Sequence, residues 1–151
     1  MTEQIRVTVA AVIRRDGRFL VVEEETDEGL RLNQPAGHLE PGESLVEGVV
    51  RETLEETAYR FVPQALLGVY RWRHPKGVTY VRLAFLGAAE GPEPGRALDQ
   101  GIVRAVWLTP EVLRAERARH RSPLVLRCVE DCLAGRRYPL ELITDYPEAG
   151  A

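Results

Sequence analysis

The sequence predicts an α+β fold, an α/β/α sandwich built on a mixed sheet, and three observations carry that expectation. Short apolar, β-branched runs open the chain and recur in its middle. A capped amphipathic stretch separates the two groups of runs, and two more capped stretches follow the last run. The order is therefore strands, helix, strands, helices, with few long crossovers. A length of 151 residues suits one compact domain, 1–151, with a core of real size. No repeat, low-complexity segment or linker interrupts it.

Val7 to Ile13 and Phe19 to Val22 are apolar runs flanking "RRDGR", which predicts a hairpin turning at Asp16-Gly17. "EEETDEGLRL" reads as an acidic loop, and "NQPAGHLEPGES" as a Gly/Pro-rich loop leading into a helix. Ser44 is the natural N-cap, with Glu47 completing a capping box. The helix should run from about Leu45 to Thr57, with Leu45, Val46, Val49, Val50 and Leu54 on its apolar face. Gly48 in its middle costs about 1 kcal/mol against alanine, which asks for close packing against a neighbour or simple tolerance. Strands follow at Ala65–Trp72, Thr79–Ala88 and Val103–Leu108, the first two joined by the turn "HPKG". Residues 90–101 form a long polar loop. Thr109 and Pro110 start a second helix, and Ser122 and Pro123 a third that ends at Gly135. The tail "YPEAGA" reads as frayed.

Composition narrows the function classes. The hydrophobic fraction is 44%, the charged fraction 28% and the net charge −3, which excludes nucleic-acid binding through bulk charge. The basic residues are nearly all arginine, Lys76 being the only lysine; coding bias and planar clamps for phosphate both account for this. Cys128 and Cys132, four apart in the third helix, read as core or half-buried positions of a reduced, cytoplasmic protein. The first residues read as neither a signal peptide nor a membrane span. Monomer and homodimer are both compatible with the sequence.

The segment from Gly37 to Tyr59 holds six glutamates. Glu52, Glu55 and Glu56 project from one helix face, because positions three and four apart are neighbours there. Three carboxylates so placed repel unless a positive charge lies among them. Arg51 offsets part of this, but it points about 100° round the helix from Glu52. Two readings stand: a solvated acidic face, or a cage for a hard divalent cation, Mg²⁺ or Mn²⁺, which brings substrate phosphates with it. The Gly-rich entry to the helix lets backbone groups approach a ligand closely. Glu43 and Arg51 are placed to pair across the loop-to-helix joint.

This segment resembles the Nudix box, G-x5-E-x7-R-E-U-x-E-E-x-G-U, where U is bulky and apolar. Gly37, Glu43, Arg51, Glu52, Glu55 and Glu56 fall in register. Thr53, Ala58 and Tyr59 depart from the pattern at positions that carry no metal or catalytic role. Ala58 replaces a glycine, so a positive φ there would strain it by about 1 kcal/mol. "VTVAAVI", "FLVVEE", "NQPAGHLE", "RSPLV" and "RYPLE" extend the resemblance to the NudJ-type phosphatase branch over about residues 5–146.

The resemblance implies a Mg²⁺-dependent hydrolase of nucleoside di- and triphosphates, and of the pyrophosphate ester of a thiamine pyrimidine precursor, releasing orthophosphate. It implies a metal set of Gly37 (through its carbonyl), Glu52, Glu55 and Glu56, with Glu55 or Glu56 as general base. Arg51 then orients Glu52 and Glu43. Asp99 and Gln100, in the loop before the Trp107 strand, are candidates for a further metal ligand or base. Asn33, Gln34 and His38 flank the box as candidate substrate contacts. "YRWRHPKG" reads either as a stacking and phosphate-clamping loop, with Arg71 and Arg73, or as a hairpin with solvated charges and a core Trp72. Arg121 precedes a helix start and is a further candidate anion contact. Within the same fold, ADP-ribose, dinucleoside polyphosphates and modified nucleotides are alternative substrates, and a nucleotide-sensing module without turnover is the alternative outside catalysis.

Overall fold

The structure is a computed structural model, and it describes residues 3–147. Seven strands run along the chain: β1 Gln4–Arg15, β2 Arg18–Thr26, β3 Gly29–Asn33, β4 Ala36–His38, β5 Arg60–Arg73, β6 Val78–Glu90 and β7 Ile102–Leu108. Three α-helices join them: α1 Leu45–Thr57, α2 Pro110–Ala115 and α3 Leu124–Leu133. The strand order is β3-β2-β1-β6-β5, with β4 added on β1 and β7 on β2.

Pairing divides these strands into two wings. In one, β1 runs parallel to β6 from Gln4↔Val78 to Ile13↔Gly87, while β4 and β5 lie antiparallel on the outside. In the other, β3, β2 and β7 are antiparallel. The wings meet only where β1 turns into β2, at Arg14↔Phe19 and Arg15↔Arg18. Asp16 and Gly17 both take positive φ there (51° and 75°), the geometry of a two-residue hairpin turn. The sheet is thus mixed, as the sequence predicts.

β1 explains why its run is apolar without alternation. Both of its faces are covered, and successive side chains go to opposite cores. Val9, Ala11 and Ile13 join Leu20, Val49, Phe61 and Phe85 in the core beneath α1. Val12 joins Phe19, Leu67, Leu113 and Val129 in the core beneath α2 and α3. This gives the expected helix/sheet/helix layering.

α1 occupies the expected span, with both halves of the capping box formed. Gly48 proves to be a packing position: a methyl group there would lie 3.0 Å from Glu43 Oε1 and 3.1 Å from Leu39 Cδ1. Ala58 ends the helix in the left-handed region (φ 65°), its N–H bonded to Leu54 O. Cys128 is buried and Cys132 half-buried, as expected.

The structure corrects several boundaries. The acidic stretch Glu23–Leu32 is no loop: β2 continues to Thr26 and turns through Asp27-Glu28 into β3. Thr26 Oγ1 holds that turn by donating to Gly29 O and accepting from Glu28 N–H. Its charges conceal a strand because Glu23 is buried against arginines. The Asn33–Ser44 loop contains the short strand β4. β5 begins at Arg60, before the expected Ala65, and tolerates Pro63 because it is an edge strand with a register shift at that residue. α2 stops at Ala115 and passes into a 3-10 turn at Arg117–Arg119. Tyr146 is exposed, and the last four residues of the expected frayed tail lie outside the described residues.

Candidate active site

The site is assembled where α1 lies against β4. Arg51 organises the joint. Its Nε and Nη2 donate to the two carboxylate oxygens of Glu43 at 2.9 and 2.7 Å, a bidentate pair. Nη1 reaches Glu52 at 2.8 Å and Glu55 at 3.2 Å, and Nη2 reaches the His38 carbonyl at 3.2 Å. Arg51 beside Glu43 holds that carboxyl below its ordinary range. With Glu40 at 3.4 Å, the charge that one guanidinium supplies is thus spread over four carboxylates.

Glu52 is packed onto the backbone of β4. A methyl group on Gly37 would lie 2.2 Å from its Cδ, so any side chain there must displace the Glu52 carboxylate. Burial raises the Glu52 carboxyl above its ordinary pKa, against the opposing pull of Arg51. Glu52, Glu55 and Asp99 each bring a carboxylate oxygen within 4.8 Å of the others. Asp99 is held there because its N–H donates to the Glu55 carbonyl at 2.9 Å. Gln100, its expected alternate, is exposed.

Glu56 stands apart. It is 8% exposed, and Ala36 N–H donates to it at 2.9 Å. Among the described residues it has no salt-bridge partner within 4 Å. Burial pushes its pKa up to about 9. Glu52 and Glu56 line the floor of a cleft of about 590 Å³, together with Ala36 and Gly37.

The other expected residues divide by strand parity. Trp72 on β5 lines the cleft, while its exposed neighbours Arg71 and Arg73 do not. Arg73 instead pairs with Glu3 at 2.8 Å. Trp72 faces its cross-strand partner Tyr80 in a stacked arrangement, ring centroids 6.1 Å apart, with His74 edge-on at 5.2 Å. Asn33 and His38 line the cleft. Burial, then Arg6 and Arg121, depress the His38 pKa and favour the neutral ring. Gln34 does not reach the cleft: it is 2% exposed, and its amide is spent on Arg82 and on the Val125 carbonyl. Arg121 lines the cleft, its Nη1 3.0 Å from Glu24 Oε1 in a charge contact without hydrogen-bond alignment.

Tyr80 and Arg82, both lining the cleft, carry a signal that sequence reasoning passed over. Arg82 interrupts the apolar run of β6, and Tyr80 shares its face two residues before.

Residues 3–128 match the NUDIX domain family. The chain is 40% identical over 141 residues to Phosphatase NudJ of Escherichia coli strain K12, covering 93% of this chain and 91% of that protein. Phosphatase NudJ of Shigella sonnei matches to the same extent. Among solved structures, a NUDIX hydrolase from Nitrosomonas europaea is 49% identical, with a TM-score of 0.92 over 95% of this chain and 98% of that one. A MutT NUDIX hydrolase from Burkholderia pseudomallei, 23% identical, shares the fold at a TM-score of 0.67, over 85% of this chain and 98% of its own.

Proposed function

Because the chain belongs to the NUDIX family, as a hydrolase of pyrophosphate bonds with NudJ-type phosphatases among its relatives, we propose that it cleaves nucleoside di- and triphosphates and related pyrophosphate esters, releasing orthophosphate. The observation that carries this reading is the pair of buried carboxyls on the cleft floor. Glu52 and Glu56 face a cleft large enough for a nucleotide, and one guanidinium does not balance them.

A divalent cation, Mg²⁺ or Mn²⁺, fits this donor set. The oxygens are hard, Glu56 lacks a counter-charge, and glycine at position 37 leaves the backbone open beside Glu52. Glu52 and Glu56 with the Gly37 backbone would hold it, and Glu55 and Asp99 extend the set on the side of Arg51. Bound there, the ion supplies charge neutralisation of the diphosphate and a more acidic water.

The chain's own residues do the remainder. Arg51 fixes the rotamers of Glu43, Glu52 and Glu55, so the carboxylates need no reorganisation on binding. Glu55 or Glu56 takes the proton of the attacking water. Trp72 and Tyr80 offer an aromatic face for a nucleobase or a pyrimidine ring.

The deciding experiment is a substrate panel with and without Mg²⁺, scored for orthophosphate against pyrophosphate. The expected result is orthophosphate from both GDP and GTP, only with the cation. Cleavage confined to ADP-ribose or a dinucleoside polyphosphate would move the substrate class. Absence of release from any diphosphate, at near-stoichiometric protein, would leave a binding module.

A further inference from the structure

None of the ion pairs among the described residues includes Arg82. Yet Arg82 is only 6% exposed. A buried guanidinium cannot shed its proton, so it needs a counter-charge or an expensive set of neutral partners. The partners present are neutral. Nη1 donates to Gln34 Oε1 at 2.8 Å and Nη2 to Asn33 Oδ1 at 2.9 Å. Gln34 is anchored in turn, its Nε2 donating to Val125 O of α3 at 2.8 Å.

The groups packed beside it are neutral, and Glu24, Glu52 and Glu56, which line the same cleft, form no ion pair with it within 4.0 Å. Burial raises the Cys128 thiol beside Arg82 and the Tyr70 hydroxyl on the paired strand, so both stay protonated near neutrality. Thr8 is its neighbour on β1. The carboxylate behind Tyr70, Asp131, is already engaged by Arg127 and Arg136. Amide carbonyls take two of the five guanidinium N–H groups, and the side chain lines the cleft. The cleft therefore has two signs: buried acids on its floor and an unmatched buried cation on its wall.

We propose that Arg82 is a phosphate-binding residue of this cleft, tethered by Asn33 and Gln34 so that its fork meets a substrate phosphate oxyanion. Tyr80 lies two residues away on the same strand face, about 7 Å along β6. An oxyanion on Arg82 and a planar ring against Tyr80 and Trp72 are then aligned along one strand, which suits a phosphorylated aromatic ligand entering ring outward. The catalytic arm of the test rests on the phosphohydrolase reading above; the binding arm does not.

The binding arm is a thermal-melt titration with inorganic phosphate in EDTA, with sodium chloride at equal ionic strength and guanosine as controls. Wild type should gain melting temperature with phosphate, Arg82→Met should gain none, and Arg82→Lys should fall between, because lysine keeps the charge but loses the fork. In the catalytic arm, KM for GDP should rise about tenfold or more in Arg82→Met, with kcat reduced less. If Arg82→Met does not fold, Arg82→Lys carries both arms. A phosphate response that is absent from wild type, or unchanged in the variants, overturns the proposal. An Arg82-dependent phosphate response in a protein that hydrolyses nothing would sink the hydrolase reading and leave this one standing. Hydrolysis with KM unchanged in the variants would do the reverse.

Discussion

Two buried glutamates of this molecule have opposite surroundings. Glu23 on β2 is 6% exposed and lies between two guanidiniums, Arg104 and Arg119, the latter at 2.8 Å. Arg104 first, and Arg119 with it, hold its carboxyl below the ordinary range. Glu56 on α1 is 8% exposed and has a single backbone N–H in place of a cation. Glu23 has its counter-charge within the fold, and Glu56 does not. A chain keeps an uncompensated buried acid only at a cost in stability, so such an acid marks where a ligand completes the charge balance.

The sharpest way to break this comparison is to neutralise each acid. Glu56→Gln should cut turnover by about 10²–10⁴-fold while the melting temperature in EDTA holds or rises. Mg²⁺ should raise the melting temperature of wild type and not of this variant. Glu23→Gln should leave kcat/KM near wild type and cost about 1–2 kcal/mol of stability by denaturant melt. Exchanged outcomes would refute the assignment of roles.

Gly37→Ala tests whether Glu52 belongs with Glu56. Its methyl would collide with the Glu52 carboxyl, so turnover should fall about 10²-fold and stability by about 1–3 kcal/mol. Wild-type activity in that variant would show that the Glu52 position is not needed.

The pH dependence of stability sharpens the same contrast, because the two acids act with opposite sign. The folded pKa of Glu56 is raised to about 9 from 4.5. Its favourable contribution is full below pH 4.5 and is lost as pH rises toward 9. The Glu23 pKa is lowered, so its contribution is full above 4.5 and is lost as pH falls through the lowered value. Melts in EDTA should show Glu56→Gln above wild type at pH 8, with the gap closing toward pH 5. The deficit of Glu23→Gln should instead close on acidification. Parallel curves for the two variants would contradict the contrast.

The smallest effect is expected at Ala58, two residues past Glu56, with its positive φ. Ala58→Gly should stabilise by about 1 kcal/mol and leave activity unchanged. A large change in kcat would mean that the strained helix end, rather than the charge of Glu56, sets the site.

Most of the fold was legible because its signals are local. The capping box at Ser44 and Glu47, the Asp16-Gly17 turn and the apolar runs of β1 and β6 each need only a few residues to specify them. The hairpin at Glu23–Leu32 was not, because its acids look solvated until Arg104 and Arg119 are brought beside them from far along the chain. The site divides the same way. The glutamates of α1 are readable from helical spacing, and Asp99 from its place before a strand. Arg71 and Arg73 were candidates for the cleft beside the alternative of solvated hairpin charges; strand parity puts them outside it and turns Trp72 inward. Arg82 escaped notice because its break in the apolar run of β6 shows a polar position but not that it is buried; that follows only once β1, β5 and α3 pack round it.

The parallel pairing of β1 with β6 constrains how this chain can be made. Gln4 waits for Val78 and Ile13 for Gly87, so the β6-facing edge of β1 stays unpaired until residue 87 has been made, although β2 and β4 are already at hand. The cleft takes Thr8 from β1 and Tyr80 and Arg82 from β6, so this wall is complete only after that pairing. Fragments ending before β6 should associate through the bare edge of β1 and require chaperone cover.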